Sequence, residues 1–143
     1  MPQDQGRILA IDYGSKRVGL AVSDPMQVIA QGAGTLDNDN RLIDRLAAFV
    51  RDEHIVKVIV GMPYAPDGGV GAKGGEVEAF LEILRPALQV EIELRDESFT
   101  TVEAHQVFRS GGMKRKQRRE KARVDEMAAR LLLQEYLESN EHR

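Results

Sequence analysis

The sequence predicts an α/β protein with a five-stranded mixed sheet of order 3-2-1-4-5 and helices on both faces. Two observations indicate this class: short strand patterns separated by turns fill the first part of the chain, and the apolar period becomes helical after Asn40. Later strands are then reached only through helices. Because strand–helix–strand crossovers are right-handed, the fourth and fifth strands should lie beside the first one.

The first three strands are predicted to form an antiparallel meander. The apolar stretch ILAI (8–11) is the first strand, and the turn material at 13–16 separates it from RVGLAVS (17–23). In that second strand Val18, Leu20 and Val22 share one face. A weaker third strand is expected within 28–36.

The remaining elements alternate helix and strand. The predicted helices are 41–54, 76–84, 100–110 and 124–138, and the predicted strands are 57–63 and 90–94. The glycine-rich stretch 64–75 is predicted to be a substrate-facing loop or a plain connector. Its spacing does not match a Walker A motif, since the required Gly-Lys-Ser/Thr is absent from the sequence.

Length and composition predict one globular domain, residues 1–143. Apolar residues make up 42% of the chain, and the absence of cysteine excludes disulfides and thiolate metal sites. The N-terminal residues MPQDQGR lack the apolar stretch of a signal peptide, and no run approaches the ~20 apolar residues that cross a bilayer. We therefore expect a soluble intracellular protein with no membrane partner.

A strongly basic segment, which we call the basic strip, spans residues 114–123 with the sequence KRKQRREKAR. Seven basic residues and one acidic residue give it a net charge of +6 within a chain whose net charge is −3. Such asymmetry predicts a surface for nucleic acid, although a solvated helix face is the alternative. Aromatic residues are absent from the strip, which favours contacts to the phosphate backbone over base stacking. Its candidate substrate-binding residues are Lys114, Arg115, Lys116, Arg118 and Arg119.

Acidic residues from three distant parts of the chain are predicted to meet at one edge of the sheet. Asp12 ends the first strand, the pair Asp96 and Glu97 follows the fifth, and Asp125 begins the last helix. Sites in α/β sheets gather outside the carboxyl ends of the strands. An all-oxygen cluster suits Mg²⁺ or Mn²⁺, and two such ions about 4 Å apart can promote phosphodiester hydrolysis. With the basic strip nearby, this arrangement predicts a nuclease.

Four ordered motifs then reveal a resemblance. IDYGSKRVGLAVSD (11–24), VIVGMP (58–63), DESFTTVEA (96–104) and VDEMAARLLLQEYL (124–137) together resemble the YqgF/RuvX family of pre-16S rRNA processing nucleases, which is related to Holliday-junction resolvases. The resemblance implies an RNase H-like fold, metal-dependent cleavage of structured RNA or branched DNA, and a cytoplasmic location. It also implies a role in 16S rRNA 5′-end maturation and allows a homodimer.

The resemblance carries catalytic and metal-binding roles onto Asp12, Glu97 and Asp125. Glu97 is preferred to Asp96 because relatives use a glutamate there, but the strand pattern leaves Asp96 open as the alternative ligand. The chain departs from the family where Ser98 stands in place of a common arginine. The missing positive charge is then expected at Arg95 or in the basic strip.

Other assignments remain open at this level. Arg17 is a candidate phosphate contact, with a surface ion pair as the alternative. A non-catalytic nucleic-acid-binding module on the same fold would retain the basic strip and make no product. The hairpin DYGS also resembles the first phosphate hairpin of sugar kinases and actin-like ATPases, but those enzymes need two such lobes.

Overall fold

The computed structural model describes residues 5–97 and 117–139. Five strands and three helices lie in these ranges. They are β1 (Arg7–Asp12), β2 (Arg17–Ser23), β3 (Ala30–Asp37), α1 (Leu42–Asp52), β4 (Ile55–Met62), α2 (Ala72–Ala87), β5 (Glu91–Asp96) and α3 (Gln117–Ser139). The predicted helix at 100–110 lies outside the described residues, as do Ser98 and residues 114–116 of the basic strip.

The sheet has the predicted strand order, β3-β2-β1-β4-β5. β2 pairs antiparallel with both β1 and β3, whereas β4 pairs parallel with both β1 and β5. The central position of β1 and its parallel neighbour β4 confirm the prediction from the crossover rule. The carboxyl ends of β1, β4 and β5 therefore meet at one edge of the sheet.

Helices cover both faces of the sheet, and the alternation along each strand decides which core a side chain joins. Leu9 and Ile11 of β1 belong to the core beneath α1 and α2, while Ile8 and Ala10 belong to the core beneath α3. Burial of each large aliphatic side chain contributes about 1.5–3 kcal/mol, so a one-residue slip of β1 would be strongly disfavoured. By the same alternation, Asp12 lies on the α3 face.

The glycine-rich stretch is more ordered than predicted. Tyr64 and Val70 form an isolated antiparallel bridge, and α2 begins at Ala72, four residues before the predicted start. Gly74 is buried where this turn of α2 packs against Val70 and Met62. A Cβ there would lie 2.7 Å from Val70 Cγ1 and 3.4 Å from the Met62 sulfur, so only glycine allows the helix to pack this closely. Tertiary packing thus overrides the weak helix propensity.

The last helix also begins earlier than predicted, at Gln117 instead of Val124. The second half of the basic strip is therefore part of α3. Arg, Lys, Gln, Glu and Ala are good helix formers, but they supply no apolar period from which the helix start could be recognised. Within the described ranges, no helix is long and apolar enough to cross a membrane.

Two contacts to β3 hold α3 on the sheet. The Gly34 N–H donates to Glu126 Oε2 (2.6 Å), at an irregularity of the β2–β3 ladder where Gly34 has a φ of 83°. Farther along the helix, the Ala30 N–H donates to Gln134 Oε1 (3.0 Å). These hydrogen bonds fix the position of the helix that carries Asp125.

Candidate active site

Asp12 lies on the α3 face of the sheet between two glycines of the neighbouring strands. Gly19 of β2 is its partner in the antiparallel ladder. On the other side, Gly61 follows Val60, the residue of β4 that pairs with Ile11. Neither glycine has a side chain, so there is space above the sheet on both sides of Asp12. Asp125 occupies this space above Gly19, and Glu97 occupies it above Gly61.

Gly19 allows α3 to approach the sheet beside Asp12. A Cβ on Gly19 would overlap the carbonyl group of Asp125 and would lie 2.9 Å from the amide nitrogen of Glu126. The glycine within an otherwise apolar strand is thus explained by helix packing. Because the backbone of Asp125 lies directly over Gly19, its carboxylate is brought to the edge where β1 ends.

Gly61 makes room for Glu97 in the same way. A Cβ on Gly61 would overlap the carboxylate of Glu97, which is only 1% exposed. The Glu97 N–H donates to the carbonyl oxygen of Met62 (3.2 Å), so the residue after β5 stays attached to the end of β4. Its Oε2 is buried and has no hydrogen-bond partner in the described part of the chain.

The three carboxyl groups influence one another. Burial, the negative charge of Asp12 and a hydrogen bond with Asp12 raise the pKa of Glu97 well above its usual 4.5. Burial and the charge of Asp12 also raise the pKa of Asp125, to about 6. These directions are those expected when acidic groups share a poorly solvated site without an added cation.

Two basic side chains offset part of this negative charge. Arg17 Nε lies 3.2 Å from Asp125 Oδ2, and both side chains are largely buried, at 18% and 24% exposure. Lys73, an exposed residue in the first turn of α2, lowers the pKa of both Glu97 and Asp125 through its charge. The sequence interpretation does not place Lys73 in the site, because the surrounding glycines indicate a loop and the spacing of a Walker A motif is absent.

The structure separates the two members of the acidic pair. Asp96 is exposed at the end of β5, whereas Glu97 is buried beside Asp12. Arg95 does not replace the family arginine within the described site, because its guanidinium lies 5.2 Å from the centre of the Tyr136 ring and 3.5 Å from Glu93 Oε2. Of the basic strip, Lys114, Arg115 and Lys116 lie outside the described residues, and Arg118 and Arg119 are described only as backbone of α3.

The donor chemistry of the site fits a hard divalent cation. Its acidic groups offer only oxygen ligands, as Mg²⁺ and Mn²⁺ prefer, and the buried partnerless Oε2 of Glu97 is an acceptor that a cation would satisfy. With the side chains as they stand in residues 5–97 and 117–139, no three such groups are placed to hold one ion together. Asp125 is instead paired with Arg17.

Comparisons with known proteins agree with this architecture. The family model described as RuvX, Holliday junction resolvase, matches residues 6–139. A Bacteroides fragilis protein that carries the provisional name pre-16S rRNA nuclease is 41% identical over 134 residues, which cover 93% of this chain and 96% of the relative.

Two solved resolvase structures share the fold. The Fowlpox virus resolvase, in complex with Holliday junction DNA, superposes with a TM-score of 0.52 at 13% identity and covers 93% of this chain and 97% of its own. RuvC of T. thermophilus, in complex with a Holliday junction substrate, gives a TM-score of 0.50 at 11% identity, with 86% and 91% covered. These similarities confirm the predicted RNase H-like fold. Because the family model and the relatives span nearly the whole chain, this protein belongs to the RuvX (Holliday junction resolvase) family of nucleases.

Proposed function

We propose that this protein is a metal-dependent nuclease that hydrolyses phosphodiester bonds in the 5′-end processing of pre-16S rRNA. The observation that carries the proposal is the gathering of Asp12, Glu97 and Asp125 on one face of the sheet, two of them over glycines that flank the first. The names of the curated relatives support the RNA substrate. The proposal treats residues 1–143 as one cytoplasmic nuclease domain.

Asp12, Glu97 and Asp125 would hold Mg²⁺ or Mn²⁺, and Asp96 is left outside the set because of its exposure. Two bound ions of this kind would activate a water molecule and stabilise the leaving oxygen of the phosphodiester. The chain contributes the placement of the ligands and a partly desolvated pocket, which strengthens every charge interaction within it. Arg17 and Lys73 add positive charge beside these carboxyl groups.

The basic strip would bind the nucleic-acid backbone next to this site. Its second half continues directly into the part of α3 that carries Asp125. Lys114, Arg115, Lys116, Arg118 and Arg119 are proposed as phosphate contacts, with Arg17 nearer to the acidic residues. Contacts of this kind position a substrate without reading its sequence.

The central test is Asp12→Asn, which keeps the size of the side chain and removes its charge. We expect cleavage of precursor 16S rRNA with Mn²⁺ or Mg²⁺ to be lost, while the variant stays folded and binds RNA in EDTA as tightly as the wild type. The matched control is Asp52→Asn, a similar change at the exposed end of α1. Full cleavage by the Asp12 variant would remove this residue from the mechanism, and binding without cleavage by the wild type would favour a non-catalytic binding module.

The basic strip is tested by the salt dependence of binding. Replacing Arg118 and Arg119 by alanine should reduce the slope of log affinity against log salt by about 1.4 for single-stranded RNA and about 1.8 for a duplex. Arg51→Ala, which changes an exposed arginine on α1, is the control. An unchanged slope in the double variant would show that these residues do not contact phosphates.

Cleavage of branched DNA is the second candidate, favoured by the description of the family model. A four-way junction has two strands to cut, so this alternative includes a homodimer that supplies two active sites. A cleavage panel with precursor rRNA, single strands, duplexes and four-way junctions separates the candidates. Sedimentation of the protein with and without a junction tests the homodimer.

A further inference from the structure

The ion pair between Arg17 and Asp125 uses one of the three acidic residues that are proposed to hold the cation. Arg17 is the first residue of β2, and its Nε lies 3.2 Å from Asp125 Oδ2 at the edge of the acidic site. The Arg17 Nε is buried, yet it makes no hydrogen bond of acceptable geometry within the described ranges. The contact is close, and the charge of Arg17 and its hydrogen bonding to the Asp125 side chain both lower the pKa of Asp125.

This contact bears on how Asp125 reaches the other two acidic residues. Asp12 and Glu97 are joined by a hydrogen bond, but among the described residues no third acidic group joins them in a set that could hold one ion. Asp125 lies near enough to feel the charge of Asp12, while its Oδ2 faces the guanidinium of Arg17. Arg17 thus supplies Asp125 with positive charge, as a bound cation also would.

We propose that Arg17 and a divalent cation compete for Asp125, so that cation binding releases the Arg17 guanidinium to a phosphate of the nucleic acid. The inference rests on the proposed function and adds a role that couples metal binding to substrate binding. Arg17 is then a positioning residue before the cation binds and a substrate contact afterwards.

Charge and geometry both support the exchange. When Asp125 joins Asp12 and Glu97, its negative charge is compensated by the cation, and the partner that Arg17 loses must be replaced. A phosphate oxygen is a suitable replacement because the planar guanidinium can donate two parallel hydrogen bonds to it. Residue 17 lies at the same sheet edge as Asp12, since the β1–β2 ladder pairs Asp12 with Gly19 just two residues away.

The first experiment measures Mn²⁺ binding to the full chain by isothermal titration calorimetry. Arg17→Ala and Arg17→Gln should each bind Mn²⁺ about fivefold more tightly than the wild type, because a partly buried ion pair of modest strength no longer competes. Lys73→Ala is the charge-matched control, since Lys73 also acts on Asp125 through its charge. The gain for both Arg17 variants should exceed the gain for Lys73→Ala.

The second experiment measures binding of a fluorescent phosphorothioate RNA, which resists cleavage, with EDTA or with Mn²⁺. Wild type and Arg17→Ala should bind equally in EDTA, because Arg17 is then occupied by Asp125. With Mn²⁺ the wild type should bind several-fold more tightly than the variant. Circular dichroism and thermal unfolding of both Arg17 variants show that they are folded.

The outcomes separate this inference from the proposed function. Mn²⁺ binding to the wild type with no greater gain in the Arg17 variants than in Lys73→Ala would overturn the competition alone. An equal loss of RNA affinity in EDTA and in Mn²⁺ would also overturn it, because Arg17 would then contact RNA regardless of the cation. Absence of Mn²⁺ binding to every variant would overturn both the inference and the metal dependence.

Discussion

Gly19→Ala adds one methyl group at the point where α3 rests on the sheet. The added carbon would overlap the carbonyl group of Asp125 and would lie 2.9 Å from the Glu126 nitrogen. Both obstacles are backbone atoms, so no side-chain rotation relieves them. The helix must move away from β2, and Asp125 must move with it.

The required displacement gives the size of the effect. Ordinary contacts between heavy atoms lie at about 3.5–4.0 Å, so α3 must shift by on the order of 1 Å. Overpacking of this kind costs about 1–3 kcal/mol of unfolding free energy. A misplacement of about 1 Å at a catalytic group can lower the rate by about 100-fold. Stability and cleavage should therefore both fall, with the larger relative effect on cleavage.

Urea unfolding and cleavage of labelled precursor rRNA with Mn²⁺ measure the two effects. Gly75→Ala is the control, since a Cβ on this glycine of α2 meets nothing within 4 Å. The same chemical change should stabilise the protein there by about 0.4–1 kcal/mol and leave cleavage unchanged. Wild-type stability and cleavage in Gly19→Ala would refute the argument that this glycine sets the position of Asp125.

Two further predictions concern the acidic groups. The pKa of Asp125 is raised from 3.8 to about 6, so between these values the cation-free folded protein binds more protons than the unfolded chain. The unfolding free energy of the cation-free protein should fall as pH rises through this window, by on the order of 1 kcal/mol after solvent screening. The rise in Tm on adding Mn²⁺ should grow from about pH 5 to about pH 8. A Mn²⁺ effect on Tm that shrinks with pH would contradict this. Glu97→Gln removes a buried acid whose pKa is raised well above 4.5 and should stabilise the cation-free protein at neutral pH by on the order of 1 kcal/mol, while Mn²⁺ no longer raises Tm. A cation-free variant less stable than the wild type would show that Glu97 stabilises the site.

The sheet could be predicted from the sequence because its signals are local. The alternation of Val18, Leu20 and Val22 and the continuous apolar run of β4 each identify a strand, and the crossover rule then orders them. The same reasoning placed Asp12 at the carboxyl end of β1, where the structure has it.

The details of the site depended on contacts between distant residues. The choice between Asp96 and Glu97 was open because Glu97 lies beyond the end of β5, where strand alternation no longer determines a direction. Gly61 could be recognised only as the end of a strand, although its missing side chain is what admits Glu97. Lys73 lies among glycines that indicate a loop, and the packing of Gly74 against Val70 and Met62 within α2 is a contact between residues that the sequence pattern does not reveal.

Because α3 is continuous from Gln117 through Asp125, it fixes the distance between the basic strip and Asp125. Each residue between the strip and the acid adds about 1.5 Å and about 100° of rotation, so length and phase cannot be changed separately. If the basic strip binds one phosphate group, the number of helical residues between the strip and Asp125 decides which phosphodiester bond lies at Asp125. The cleavage site would then lie at a fixed distance from the bound phosphate and would not depend on the base sequence between them.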